Sequence, residues 1–494
     1  MLGPRLDYGT VTVSAPIPPS SNGPALSKWF GFFPEFRKDV LGFLSECRRY
    51  GDVVKLPVGH WAEILLRRPG LAVYLLHHPD DIKHVLVTNQ HNYVKGPIPP
   101  VEAKIFGRGL LHLEGPEHHA HRRLLLPFFH GAHIHAYADM ITTKTAALAE
   151  RWSAGGTVDM GQAMSRLTLS IIWPVLFGRE LGPEAMLIAE SIEVGHRLIN
   201  KQYHSLFAQL TPLWLPTKLH RDFSRVHGTL DSFVRELIRT RRREPREDQE
   251  DVLSLLCLAT DESGAPLTEQ AIRDELMTLM LAGHETTANA LTWTWFLLAR
   301  HPEIRAKLAA ELQRLPPGRL PGVTDLQQLV YTKRVWDESL RLYPPAWALH
   351  MRLAREEDPL PSGASIPAGA YVFLSPWSVQ RDSRWFPDPD RFDPERFAPG
   401  AVSQRPQFSY FPFGGGGRRC LGEAFAELEG LLILSVLAAR LRFASVEAKP
   451  LLPDALMTLR PKSPVYMDIE PVPPSSTAPP EIQQEDFGSR RGSA

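Results

Sequence analysis

The sequence predicts one large, mainly α domain with a smaller β region. Two observations carry this. From His118 to about Arg314 the chain is mostly helical in pattern, and its centrepiece spans Thr268 to Arg300. Thr268 is an N-cap candidate, Glu269 stands in the first turn and Pro302 stops the pattern. That is roughly 33 residues, or about 50 Å of helix. It is apolar on all faces around Leu276–Leu281 and Leu291–Phe296, as expected of a helix running through the centre of a large domain. The second observation is a set of short β-like runs at the two ends of the chain. Asp52–Leu56, Ala62–Leu66 and Ala72–Leu76 are split by Gly and Pro, and the region after Leu342 is strand- and turn-like, finishing through Leu459–Met467.

The remaining elements follow in order. Residues 1–29 form a Pro-rich arm, residues 30–468 the folded domain, and residues 469–494 a tail too poor in apolar side chains to fold. Asp39–Tyr50 and Pro79–Thr88 read as helices. Lys95–Gly115 carries several prolines and glycines and reads as a long loop, a kind of segment that is often functional. Pro183–Gln202 and Arg221–Arg239 are amphipathic, and between them the apolar Leu206–Pro216 could cap a pocket, touch a membrane surface or be core. Arg241–Asp251 is charge-dense and reads as a solvated loop. Asp325–Leu342 is helical again, and no internal repeat is present.

Composition excludes several classes of function. The 494 residues carry a formal net charge of zero, unlike the strongly basic surfaces that bind nucleic acid. The three cysteines, Cys47, Cys257 and Cys420, are widely spaced, which argues against zinc, iron–sulfur or disulfide frameworks and suits a reducing compartment. No signal peptide is visible, and no uncharged apolar run reaches the roughly 18 residues that span a bilayer. The expectation is a soluble, cytoplasmic monomer with no transmembrane segment and no nucleic-acid partner.

The chemistry gathers around Phe413–Gly422. Gly414–Gly417 remove four consecutive Cβ atoms, so the backbone can lie flat against a bulky planar group. Cys420 sits at the mouth of a helix-patterned run, Glu423–Arg440, beside Arg418 and Arg419. The helix dipole and the two arginines favour a thiolate there, and such a thiolate suits haem iron. In mid-helix, Ala282-Gly283-His284-Glu285-Thr286-Thr287 sets a glycine, an acid and hydroxyls in an apolar centre. Gly costs about 1 kcal/mol against Ala in a helix. Glu285 and Thr286 could supply protons beside a haem face, or the segment could be a kink with its hydroxyls bonded to the preceding turn. Glu338 and Arg341 share a helix face and can pair, with Arg396 a third charge. His118 and Arg122 are four apart on one helix face, Arg352 stands after Leu342, and such groups would neutralise haem propionates. His119, His121 and Arg123 could form the solvated face of the same helix.

Together these residues resemble the cytochrome P450 family. The family's pattern Phe-x-x-Gly-x-Arg-x-Cys-x-Gly falls on Phe413, Gly416, Arg418, Cys420 and Gly422. Its oxygen-activation motif falls on Ala282, Gly283, Glu285, Thr286 and Thr287, its Glu-x-x-Arg motif on Glu338 and Arg341, and its meander arginine on Arg396. The resemblance covers about residues 30–468; it departs at His118, where many members carry Trp.

The resemblance implies the triangular, mainly α fold of that family and a haem-thiolate monooxygenase. The cofactor would be haem b, with Cys420 the proximal ligand and His118, Arg122, Arg352 and Arg418 contacting the haem. Glu285 and Thr286 would deliver protons for the activation of O2. An apolar small-molecule substrate would sit between the central helix and Lys95–Gly115, facing Ala346, Trp347, Leu349, Leu456 and Met457. Electrons would come from a separate ferredoxin or flavodoxin and its reductase, docked on a basic patch of Arg122, Arg123, Arg418 and Arg419. Two alternatives are a peroxide-using or rearranging enzyme of the same fold, and a haem-binding sensor without turnover.

Overall fold

The computed structural model describes residues 24–472, apart from 25, 67–70, 97, 130, most of 183–214, 216, 246–250, 262, 317–318 and 447–450. The arm before residue 24, the tail after 472 and nearly all of Leu206–Pro216 therefore lie outside the described residues.

The central helix forms as its sequence requires. It spans Glu269–Arg300, and the Thr268 side chain caps it by accepting from the Ala271 N–H. It packs against Met160–Phe177, Lys218–Arg243, Val330–Leu342 and Glu423–Arg440. Trp173, Trp293, Trp295 and Trp336, spread over three of these helices, are all buried. Trp293 stacks on Tyr343 with ring centroids 3.9 Å apart and donates its indole N–H to the Leu459 carbonyl at 3.2 Å. The indole thus fills space without leaving a buried donor unpaired.

One charged turn interrupts this apolar surroundings. Arg273, Asp274 and Glu275 are buried on the central helix just before Leu276. Arg273 pairs with Asp231 at 2.6 Å and donates to the Ile105 carbonyl at 2.7 Å. Asp274 accepts from the Arg108 N–H at 2.9 Å, and Glu275 accepts from the Leu110 N–H at 3.0 Å. Gly107 is required here: its φ is +57°, and a Cβ would lie 2.2 Å from the Asp274 carboxyl.

The β region is split among several small sheets. In the largest, the strands run Val53–Pro57, Ala72–Leu76, Tyr371–Leu374, Arg352–Ala354 and Tyr93–Lys95 in spatial order. Ala72–Leu76 and Tyr371–Leu374 are parallel, with Val73 opposite Tyr371, and the other neighbours are antiparallel. A three-stranded sheet joins Gly156–Asp159, Tyr466–Pro471 and Leu441–Ser445.

Four readings of the sequence need correction. Ala62–Leu66 belongs to a helix, His60–Leu66, whose first N–H groups are bonded by the distant Lys28 and Trp29 carbonyls. Lys95–Gly115 is not all loop, since Pro100–Phe106 is a helix with Pro at its first position. Arg241 is not solvated: it is buried, 2.7 Å from both Asp251 oxygens, and donates to the Phe177 carbonyl at 2.9 Å. His121 is likewise no surface residue, because its Nδ1 lies 2.6 Å from the buried Glu275 carboxylate, which raises its pKa.

The Glu338–Arg341 pair is a structural knot. Both side chains are fully buried, and Arg341 Nε lies 2.6 Å from Glu338. Arg341 also donates to the carbonyls of Gln380, Pro389 and Arg391, while Glu338 accepts from the Asp393 N–H and has Arg396 3.5 Å away. One guanidinium therefore ties a helix to three points of an irregular chain. Arg341→Ala would leave a buried carboxylate and three carbonyls without their donor. It should lower stability by about 3–5 kcal/mol, read as a fall in the urea midpoint. Gly228→Ala is the control: a Cβ there meets nothing within 4 Å, and the change should be neutral or stabilising. A midpoint for Arg341→Ala equal to the wild type would refute the knot.

Candidate active site

The glycine-rich loop is positioned by what lies behind it. Gly414 and Gly416 have φ of +72° and +64°. A Cβ on Gly416 would lie 1.8 Å from the Leu86 carbonyl, and one on Gly415 would lie 2.5 Å from the Phe408 ring. The glycines thus let the loop press onto the helical segment His84–Thr88 and onto Phe408, and Gly417 donates its N–H to Gln90 at 2.8 Å. Clearance for a planar group is not the whole reason for them. Cys420 follows, its own N–H bonded to the Phe413 carbonyl at 2.9 Å.

Cys420 opens onto a cavity bounded on the other side by the central helix. Leu279, Ala282, Gly283, Thr286, Thr287 and Ala290 line that helix face. Gly283 packs closely, since a Cβ there would come within 3.2 Å of the Ile172 side chain. The Thr286 hydroxyl donates to the Ala282 carbonyl at 2.7 Å, and the helix is continuous through it. The ladder is therefore not opened here. Glu285 is half-buried and is not part of the cavity wall.

The sulfur corrects another expectation. Burial pushes the Cys420 thiol above its ordinary value, while the Gly422 N–H, Arg122 and Arg419 pull it down. Burial is the largest of these effects, so the thiol is held above its ordinary value. A coordinated metal ion is what removes such a proton.

The polar end of the cavity is strongly positive. His118, Arg122, Arg352 and Arg418 all line it, and so does Lys95, which the sequence reading did not single out. Burial, then Arg418 and Arg352, pull Lys95 down to about 7. Burial, then Arg418, Lys95 and Arg122, pull His118 to about 3, so that ring is neutral. Arg352 falls to about 10 through burial and Arg418, and it donates to the His350 carbonyl at 2.8 Å. Arg418 donates to the Leu113 carbonyl at 2.6 Å and pairs with Glu114 at 2.8 Å. These cations depress one another, and Glu114, ion-paired with Arg418, offsets only part of their charge. The cavity therefore calls for an anion, and a ligand with carboxylates at one edge fits it. A haem would meet both conditions, its propionates engaging the cations and its iron the Cys420 sulfur.

Other expected residues fall elsewhere. Ala346 and Leu349 line the cavity, whereas Trp347, Leu456 and Met457 do not. Trp347 donates its indole N–H to the Leu456 carbonyl at 2.7 Å, which joins these two segments to each other. The proposed docking patch is also thinner than its four arginines suggest, because Arg418 turns into the cavity and Arg419 pairs with Glu423. The sequence reading also missed Glu429, a fully buried carboxyl on Glu423–Arg440. Burial raises its pKa well above the usual range, with the Thr287 hydroxyl pulling the other way. A single acid inside an apolar helix pattern was the available signal for it.

Comparison with known proteins agrees with this geometry. The family model described as Cytochrome P450 matches residues 48–468. Cyclooctatin synthase of Streptomyces melanosporofaciens is 36% identical over 436 residues, covering 87% of this chain and 91% of that protein. Cyclooctat-9-en-7-ol 5-monooxygenase of the same organism is 33% identical, covering 82% of this chain and 85% of the relative. Pentalenene oxygenase of Streptomyces avermitilis is 31% identical, covering 85% and 90%. The crystal structure of a cytochrome P450DA heme domain shares the fold, with a TM-score of 0.76 at 23% identity over 93% of this chain and 98% of that one. Among the described residues no helix is long and apolar enough to cross a membrane. With matches of this extent over a thiol-and-cation cavity of this kind, the chain belongs to the cytochrome P450 family and is a haem-dependent monooxygenase.

Proposed function

We propose that this monooxygenase inserts one oxygen atom of O2 into an unsaturated hydrocarbon or its mono-alcohol. The observation that carries this is the wall facing the Cys420 loop, where Leu279, Ala282, Ala290, Ala346 and Leu349 offer no charge to a substrate. Two relatives support the class: by their names they oxidise cyclooctat-9-en-7-ol, an unsaturated alcohol, and pentalenene, an unsaturated hydrocarbon. A polar substrate would lose its water against such a wall without regaining hydrogen bonds.

The haem, taken as haem b, would supply the binding and reduction of O2. Cys420 would hold its iron, and Arg122, Arg352, Arg418 and Lys95 would hold its propionates, with neutral His118 donating one hydrogen bond. The overall reaction takes up two electrons and two protons, leaving one oxygen atom in product and one in water. Thr286 is the cavity-wall hydroxyl beside Glu285, and it would hand on a proton. Its bond to the Ala282 carbonyl occupies its hydrogen and leaves its oxygen able to accept one. Glu285, one residue away and off the wall, would exchange protons with it through water. Electrons would come from a separate acidic protein of the ferredoxin or flavodoxin kind, for which exposed Arg123 is a basic contact.

Two experiments test this reading. Cys420→Ser replaces the thiol by a hydroxyl that does not ionise near neutral pH. The reduced, carbon-monoxide-treated variant should lose the thiolate-type absorption of the wild type, and retention of that spectrum would show another ligand. Thr286→Ala should leave haem content and substrate affinity nearly unchanged, because the lost hydroxyl bonds only within its own helix. Product per reductant consumed should fall, with peroxide released in its place; loss of a positioned proton donor commonly costs roughly 10²–10⁴-fold in the assisted step. Equal coupling in wild type and Thr286→Ala would remove Thr286 from the proton path and favour a peroxide-using enzyme.

A further inference from the structure

Beside the cavity, three side chains from three separate segments converge. Glu102 lies on the helix Pro100–Phe106, His112 in the turn that follows, and His350 just before the strand Arg352–Ala354. Glu102 is 3% exposed. Nε2 of His112 and Nε2 of His350 each lie 3.1 Å from the same Glu102 oxygen, Oε1. All three candidate donor atoms fall within 4.8 Å of one another. The two rings meet edge to face with centroids 6.0 Å apart, and Phe106 closes over His112.

Hydrogen accounting shows what this arrangement demands. Nδ1 of His112 lies 3.0 Å from the Gly107 carbonyl, which can only accept, so Nδ1 carries a hydrogen. In a neutral ring Nε2 then presents a lone pair, and it presents it to a carboxylate oxygen. Two lone pairs do not face each other across 3.1 Å in a buried place unless something positive lies between them. A metal ion meets that demand. Ligand atoms in a tetrahedral shell with bonds near 2.0–2.1 Å sit roughly 3.3 Å apart, close to both separations here. The Gly107 carbonyl on the far nitrogen is the outer contact that fixes ring and tautomer in metal-binding histidines.

We propose that Glu102, His112 and His350 form a binding site for a divalent cation of the zinc type, distinct from the Cys420 centre. Two imidazoles and a carboxylate make a three-ligand zinc set with a fourth position open. They do not suit Mg²⁺ or Ca²⁺, which take oxygen ligands. The bound ion cross-links the short helix Pro100–Phe106 to the segment carrying His350, and His350 is itself part of the cavity wall. The ion would therefore fasten one side of the cavity. Both Nε2 atoms must be free of protons to bind, so the ion competes with protons for this site.

The test uses the full-length, haem-loaded protein, treated with chelator, incubated with Zn²⁺ at pH 7.5 and desalted. Wild type should retain one equivalent of zinc more than His112→Gln and His350→Gln, whose retention at this site should fall at least tenfold. The zinc-edge X-ray spectrum of that equivalent should show nitrogen and oxygen ligands with imidazole scattering and no sulfur. Haem content reports folding, and His350→Gln at the half-buried rim keeps the test open where His112→Gln fails to fold. Equal zinc retention in wild type and the folded variants would overturn the proposal. So would no retained zinc in wild type, which would leave protons as the positive charge between these groups.

Discussion

The constraint on which this molecule depends is burial of the central helix, Glu269–Arg300, on nearly every side. A helix so enclosed must satisfy each polar group it carries from within the protein. Its one charged turn shows the consequence. Arg273, Asp274 and Glu275 are buried, and the groups that satisfy them come from Asp231, from the backbone of Ile105, Arg108 and Leu110, and from His121. The cost of burying charge is thus converted into the placement of the segment that borders the cavity. The same helix, about three turns on, presents Thr286 to that cavity. Packing and cavity wall are two uses of one buried rod.

The other wall is set by opposite means. There the chain is irregular, and rigidity comes from side chains reaching backbone carbonyls. Arg341 holds three of them and a carboxylate, Arg418 holds Leu113, and Arg352 holds His350. Arg serves because its planar fork satisfies several fixed acceptors at once. The glycine loop fits this scheme, since its missing Cβ atoms let it seat against Leu86 and Phe408. The Cys420 sulfur is thereby held at a defined place, although burial keeps its pKa above the ordinary value. Thiol and cations face the same cavity, where a cofactor carrying both a metal ion and carboxylates would engage them together.

Much of this was legible along the chain. The central helix announced both ends through Thr268 and Pro302, because caps and breakers act locally. The cysteine loop was legible because glycines and a cysteine at fixed spacing reflect one short, self-contained geometry. The readings that failed were those in which a neighbour far along the chain decides. Ala62–Leu66 has a β-like composition but lies in a helix, and Arg241 belongs to a charge run but is buried against Asp251 and Phe177. Trp347 was expected to face substrate, and its indole is instead committed to Leu456.

By itself the sequence determined the mainly α class, the central helix with its caps, and the set of residues from which a thiol-ligated cofactor site could be built. Those features depend on periodicity and on residues close together in the chain. Only the tertiary structure decided that Lys95 joins His118, Arg122, Arg352 and Arg418 on one cavity, that Glu285 stays off its wall, and that Glu102, His112 and His350 meet. Burial and charge at each of these positions are set by residues tens to hundreds of positions away, and no local pattern records them.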